Sequence, residues 1–225
     1  MKYLTFSFDD GVTQDIRFIE LLNKYGLKGT FNLNSLTLGK KGVLEVLGKV
    51  VNHNKISACD VKSIYQGHEV SGHTLTHPDL KILTDAEIEK EVEQDRLNLS
   101  ALCGYEVKGF AYPGCIPNYN QRVIDVIKNK TGIKYCRTVL STYNFDVCDD
   151  LYEFLPSVSI SNIDKLFEMG EKFLSLKTTK KQVFYVWGHT YEFDLYDTWG
   201  KIEEFMQMMS GKKDINYVTN NQALL

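Results

Sequence analysis

Apolar residues along this chain fall into short blocks of two kinds. The first kind is a near-continuous run of strand length, at 3–8 (YLTFSF), 28–34 (KGTFNLN), 68–73 (HEVSGH), 108–113 (KGFAYP), 133–139 (IKYCRTV), 182–189 (QVFYVWGH) and 215–219 (INYVT). Runs this short, rich in β-branched and aromatic residues, read as buried strands. The second kind repeats at helical spacing, over 13–25, 84–104, 121–130, 163–176 and 199–209. The segment 84–104 has the clearest limits: Thr84 with Glu87 three residues on forms a capping box, and Gly104 ends the helix. Residues 36–67 show neither period clearly and are expected to contain helical pieces.

Strands alternating with helices imply a parallel sheet covered by helices, here an α/β fold of about seven or eight units. Either a βα barrel, complete or not, or an open doubly wound sheet fits that order. In a barrel the C-terminal ends of the strands carry the active site. No repeat or linker divides the 225 residues, so one domain, 1–225, is expected.

Composition narrows the function classes. The net charge of -3 gives no electrostatic reason to bind nucleic acid. No apolar stretch approaches the length that crosses a bilayer, so no membrane partner is expected. The start, MKYLTFSFDDG, lacks a signal-peptide core, and a cytoplasmic location is expected. Five scattered cysteines without a CxxC pair argue against a disulfide framework and for reduced, mostly buried thiols. Oligomeric state is not legible.

Four strand ends carry chemistry. Asp9 and Asp10 end the first strand before Gly11, and adjacent residues in extended chain point to opposite sides. One carboxylate can therefore bind a metal while the other faces a water; alone, the pair reads more readily as a surface turn. Ser71-Gly72-His73-Thr74-Leu75-Thr76-His77-Pro78 follows the third strand. Two histidines four apart on one face of a helical turn can meet one ion, and Thr74 rules out the HExxH pattern. Phe110-Ala111-Tyr112-Pro113-Gly114-Cys115 is a strand-to-loop step that can offer a backbone N–H to an oxyanion. Trp187-Gly188-His189 ends the most strand-like run, with Glu192 and Asp194 just beyond, and such a histidine can serve as a general acid.

Phe8-Asp9-Asp10-Gly11, His73-Thr74-x-x-His77-Pro78, Phe110-Ala111-Tyr112-Pro113 and Gly188-His189 stand in the order seen in polysaccharide deacetylases, the family-four carbohydrate esterases with a NodB-like domain. Gly67-His68-Glu69-Val70 also resembles the family, and the resemblance runs from Tyr3 to the C-terminus. It implies a distorted (β/α)7-type barrel and a metal-dependent hydrolase that removes N-acetyl groups from an N-acetylated saccharide. By resemblance Asp10, His73 and His77 are the metal ligands, Asp9 the base, His189 the acid, and the Gly114 N–H an oxyanion donor. Zinc is the default ion, and cobalt, nickel or iron suit the same donors. Tyr112, Cys115 and Trp187 are expected to line the pocket.

The chain departs from the family in its third motif. Many relatives carry an arginine there that holds the catalytic Asp; this chain has Ala111. Arg137, ending the next strand, is the expected substitute, through an Arg137–Asp9 hydrogen bond. Cys115 stands near where an aromatic residue is common. His53, in a polar stretch, is expected on the surface, and His68 is expected to be structural. Two other functions stay open: an amidohydrolase acting on a small non-sugar amide or cyclic ureide, and a catalytically impaired metal-dependent saccharide-binding module.

Overall fold

The computed structural model describes residues 1–46, 48–114 and 118–225. The elements run β1 (Lys2–Asp9), α1 (Asp15–Lys24), β2 (Gly29–Leu33), β3 (Val43–Val46), β4 (Lys49–Asn52), α2 (Val61–Ile64) and β5 (Glu69–Gly72). They continue with α3 (Asp85–Glu89), α4 (Asp95–Cys103), β6 (Gly109–Ala111), α5 (Gln121–Lys130), β7 (Tyr135–Arg137) and β8 (Val158–Ser159). The chain closes with α6 (Ile163–Ser175), β9 (Gln182–Gly188), α7 (Tyr191–Leu195), α8 (Trp199–Met209), β10 (Ile215–Tyr217) and α9 (Asn220–Leu224).

The strands of the main sheet are parallel and lie in the order β7-β6-β5-β2-β1-β9-β8. The sheet curls until its two ends approach. Phe154 N donates to Cys136 O on β7 at 3.0 Å, and Ser157 N donates to Tyr185 O on β9 at 2.9 Å. The segment 154–159 thus spans the gap, and the fold is a distorted (β/α)7-type barrel. Ile215–Tyr217 is not a barrel stave: β10 pairs only with Lys2–Leu4, on the edge of β1 that β2 takes from Phe6 to Asp9. The stave it would have supplied comes instead from β8, only two residues long and hence without a periodic signature.

Both faces of the staves are buried, yet they differ in chemistry. Leu4, Phe6 and Phe8 of β1 point outward, where Phe6 and Phe8 meet Phe18 of α1. Thr5, Ser7 and Asp9 point inward, and register places them beside Tyr185, Trp187, Thr30 and Asn32. The inner face is therefore polar and hydrogen-bonded. Gly109 faces inward opposite Tyr135, and a Cβ there would lie 2.2 Å from the Tyr135 hydroxyl. The mouth at the strand N-termini is stoppered by α9: Asn220 accepts from Thr5 Oγ1 at 2.8 Å, and Glu69 accepts from Asn221 N at 2.9 Å, Thr30 Oγ1 at 2.8 Å and Tyr135 Oη at 2.9 Å.

Residues 36–67 hold an antiparallel hairpin, β3 with β4, and, among the described residues, only short helical pieces at Ala58–Asp60 and Val61–Ile64. Segment 84–104 has its capping box and a left-handed Gly104, but Lys90–Gln94 between α3 and α4 is π-helical. Cys103 and Cys136 are buried free thiols, Cys148 is half-buried, and Cys59 is exposed rather than buried. Among the described residues no helix is long and apolar enough to cross a membrane.

Candidate metal centre and catalytic cleft

The C-terminal mouth of the barrel opens into a cleft of about 830 Å³ lined by residues from the ends of β1, β2, β5, β6, β7 and β9. Here β1 delivers Asp9 on the inward face, and the chain then turns through Asp10 and Gly11, both left-handed at φ 83° and 60°. That region is costly for a residue with a Cβ and persists only where neighbours enforce it. Asp10 N donates to Asn32 O at 3.0 Å and Lys55 Nζ donates to Asp10 O at 2.7 Å. At Gly11 a Cβ would stand 2.6 Å from the Cδ2 of Leu33, so a side chain there would have to displace that leucine as well as adopt the left-handed backbone.

Arg137 lies fully buried with Nη2 at 2.6 and 2.5 Å from the two oxygens of Asp9. One nitrogen serves both oxygens, so the pair is not the two-nitrogen fork. Nη1 donates to Thr138 O at 3.0 Å, and the guanidinium lies over the Trp187 ring at 4.7 Å. Arg137 is the register partner of Ala111, and both face inward, so the small residue on β6 sits beside the large cation on β7. Asn32 Nδ2 adds a third contact to Asp9 at 2.7 Å. Burial by itself would raise the Asp9 pKa. The Arg137 charge, with smaller help from His73 and His189, outweighs it and holds Asp9 below the usual carboxylate value.

His73–His77 is not a helical turn. Thr74 and His77 are left-handed at φ 70° and 66°, and Pro78 follows. The loop keeps this shape because its backbone is held from two sides. Asn34 Nδ2 donates to Thr74 O at 3.1 Å, while Asp95 accepts from Ser35 N at 2.8 Å and His73 N at 3.0 Å. The π-helical turn adds Glu91, whose backbone O accepts from Leu75 N at 3.0 Å and whose carboxylate accepts from Thr76 N at 3.0 Å. The imidazoles still meet, with ring centroids 4.9 Å apart. His73 Nδ1 lies 2.8 Å from Ala111 O, an acceptor only, so Nδ1 carries the proton and Nε2 is left free. Burial pushes the His73 pKa down to about 4, which keeps that nitrogen unprotonated.

One ligand atom each from Asp10, His73 and His77 lies within 4.8 Å of the others. A carboxylate and two imidazoles are a fitting donor set for a divalent ion with open positions. Asp10 is held well below the usual carboxylate value: burial opposes this, and the His53 hydrogen bond and Lys55 charge overcome it.

His189 follows β9 with Nδ1 2.7 Å from Glu192 Oε1 and Nε2 4.0 Å from Asp9 Oδ2. Burial would lower its pKa, but the Glu192 hydrogen bond and the two aspartates raise it to about 9. Trp187 and Tyr112 border the cleft; the Tyr112 hydroxyl is committed to Tyr152 O at 2.9 Å, so its ring is what the cleft sees. Gly114 also borders the cleft, left-handed at φ 84°, and Cys115 lies outside the described residues.

Three residues here were given no role in the site by the sequence. Glu192, noted just beyond His189, stands one helical turn after it, a spacing that could have revealed the contact. His53 is not a free surface residue: Nε2 lies 3.2 Å from Asp10 Oδ2. Lys55 reaches the other Asp10 oxygen at 3.3 Å. His68 packs structurally, accepting from Gly29 N at 3.2 Å.

A parallel barrel with acids and imidazoles gathered at its C-terminal mouth has the architecture of a hydrolase. The chain belongs to the polysaccharide deacetylase family, whose profile matches residues 1–136. A family 4 acetyl xylan esterase from Clostridium thermocellum, solved with a cobalt ion, has a TM-score of 0.61 at 15% identity, over 99% of this chain and 90% of its own. A Bacillus anthracis pseudoenzyme of the CE4 family gives 0.58 at 14%, over 100% and 66%. The Streptococcus pyogenes deacetylase PplD, solved with acetate, gives 0.50 at 20% over 60% of this chain, which spans 55% of that relative. At these identities the likeness speaks for the fold. No curated protein matches the chain.

Proposed function

We propose that this chain is a metal-dependent hydrolase that removes acetyl groups from an N-acetylated saccharide. One observation carries the reading: the Asp10–His73–His77 donor set, within 4.8 Å, shares a cleft with an Asp9–His189 pair 4.0 Å apart. Zinc is the expected ion, and cobalt, nickel or iron fit the same donors. When bound, a divalent ion polarises the acetamide carbonyl and makes water a better nucleophile near neutral pH.

The residues supply the rest. Asp9, ionised beside Arg137, takes the proton of the attacking water. Arg137 orients that carboxylate and Trp187 covers the guanidinium. The Gly114 N–H supports the oxygen as it gains charge. His189, protonated at neutral pH with Glu192 behind it, gives its proton to the departing amine. Acetate and a free amino sugar leave.

The test is metal content of the purified chain together with acetate release from N-acetylglucosamine oligomers. Release that a chelator abolishes and zinc restores is the expected result. Sugar binding without release would make it a binding module, and release only from small non-sugar amides would move the substrate class.

A further inference from the structure

The segment 52–56, leaving β4, crosses the mouth as a strap against the loop that carries Asp10. Thr13 N donates to Asn54 O at 2.8 Å, Ile56 N donates to Gly11 O at 2.9 Å, and Gln14 Nε2 donates to Asn52 O at 2.8 Å. Behind it, Leu44, Val46 and Val51 of the hairpin pack on Val12, Tyr191 and Leu195. The strap is therefore a built part of the cleft wall. Two of its side chains converge on one residue: His53 Nε2 lies 3.2 Å from Asp10 Oδ2, and Lys55 Nζ lies 3.3 Å from Asp10 Oδ1 and 2.7 Å from its carbonyl oxygen. The His53 ring stands edge-on to Tyr191 at 5.2 Å, which fixes its direction.

We infer that His53 and Lys55 are positioning residues for Asp10, and that the His53 hydrogen bond sets how tightly the site holds a divalent ion. The inference rests on the metal-site reading above. Lys55 fixes the backbone of a left-handed aspartate that has no intrinsic preference for that shape. His53 then takes one carboxylate oxygen, so the carboxylate cannot rotate and its remaining lone pairs face His73 and His77. His53 is not itself in the group of mutually close ligand atoms, which comprises Asp10, His73 and His77. It acts one shell out, where loss of a ligand's partner weakens metal binding by roughly 10–100-fold.

Three variants of the full chain test this by chelator-competition titration with Zn²⁺ and by the visible spectrum with Co²⁺. Asp10→Ala should abolish tight binding, which establishes the site. His53→Phe keeps the contact with Tyr191 but cannot donate, and its Zn²⁺ affinity should fall by roughly 10–100-fold. His53→Gln restores a donor, so it should recover most of that loss and keep the Co²⁺ spectrum of the parent. Parent-like affinity in His53→Phe would overturn the inference and make the contact passive. Equal loss in both variants, with an altered Co²⁺ spectrum in His53→Gln, would also overturn it, because His53 would then be a ligand. Absence of tight binding in the parent chain, or binding that survives Asp10→Ala, would remove the metal site itself and the inference with it.

Discussion

At Asp9 two opposed effects meet, burial that disfavours charge and an arginine that demands it, and the arginine prevails. Asp9→Asn should cut kcat by roughly 10²–10⁴-fold, the range for a lost general base, and leave zinc stoichiometry unchanged. Arg137→Ala leaves Asp9 buried without its cation, and breaking such a pair costs about 3–5 kcal/mol, readable as a lower urea midpoint. Its acid limb of kcat/KM should also move to higher pH, since the group that lowers the Asp9 pKa is gone. The alkaline limb belongs to His189: activity should fall as pH rises through about 9, and Glu192→Gln should move that limb to lower pH. The sign for stability is the same: the raised His189 pKa contributes stability fully present below about 6.5, its ordinary value, and lost as pH rises through about 9. The Arg137–Asp9 contact was legible because Ala111 left a demand unmet and Arg137, ending the next strand, lay at the same mouth. His53 was not, because its neighbours Asn52 and Asn54 read as solvated loop and its partner is 43 residues away.

Among the elements, those with strong period were readable and those defined by pairing were not. The capping box at Thr84 is a local signal, and the helix starts where it says. The π-helical turn leaves no such mark, since a one-residue shift in hydrogen bonding hardly alters the apolar stripe. Yet that turn presents Glu91 and Asp95 to the histidine loop, which explains how His73 and His77 face one point without being helical. Asp95→Ala would strand the N–H of Ser35, at about 1–3 kcal/mol if it stays dry, while His73 N would keep its bond to Leu33 O at 2.9 Å. Urea unfolding should report that loss and a Zn²⁺ titration should weaken in parallel; unchanged metal affinity would confine Asp95 to stability. The β3–β4 hairpin escaped notice because Val43, Leu44 and Val46 face Asn52, Val51 and Lys49 in a register that only a pairing partner reveals.

Across the whole molecule the sequence showed alternating strands and helices but not how the ring closes. Its inner face carries hydrogen-bonded groups at both ends, Asn220 and Glu69 at the stopper and Asp9 and Arg137 at the mouth. Asn220→Ala, which unmakes contacts to Thr5 and Tyr185, should lower stability by about 1–3 kcal/mol, measured by thermal unfolding. Closure between β7 and β8 is thinner than the seven-residue pairing of β1 with β9. Phe154 N to Cys136 O and Thr138 N to Phe154 O tie the end of β7 to the next stave, Thr142 N to Pro156 O and Tyr143 N to Ser157 O follow just beyond, and among the described residues no α-helix lies between β7 and β8. Local opening takes place where the fewest bonds must break together. The ring should therefore breathe along this seam, its Thr138 and Phe154 amides trading hydrogen for deuterium well before those of β1 and β9. Because Arg137 is the last residue of β7, each such breath would slacken the grip on Asp9, making the rate of the seam's opening a ceiling on how long the base stays in place.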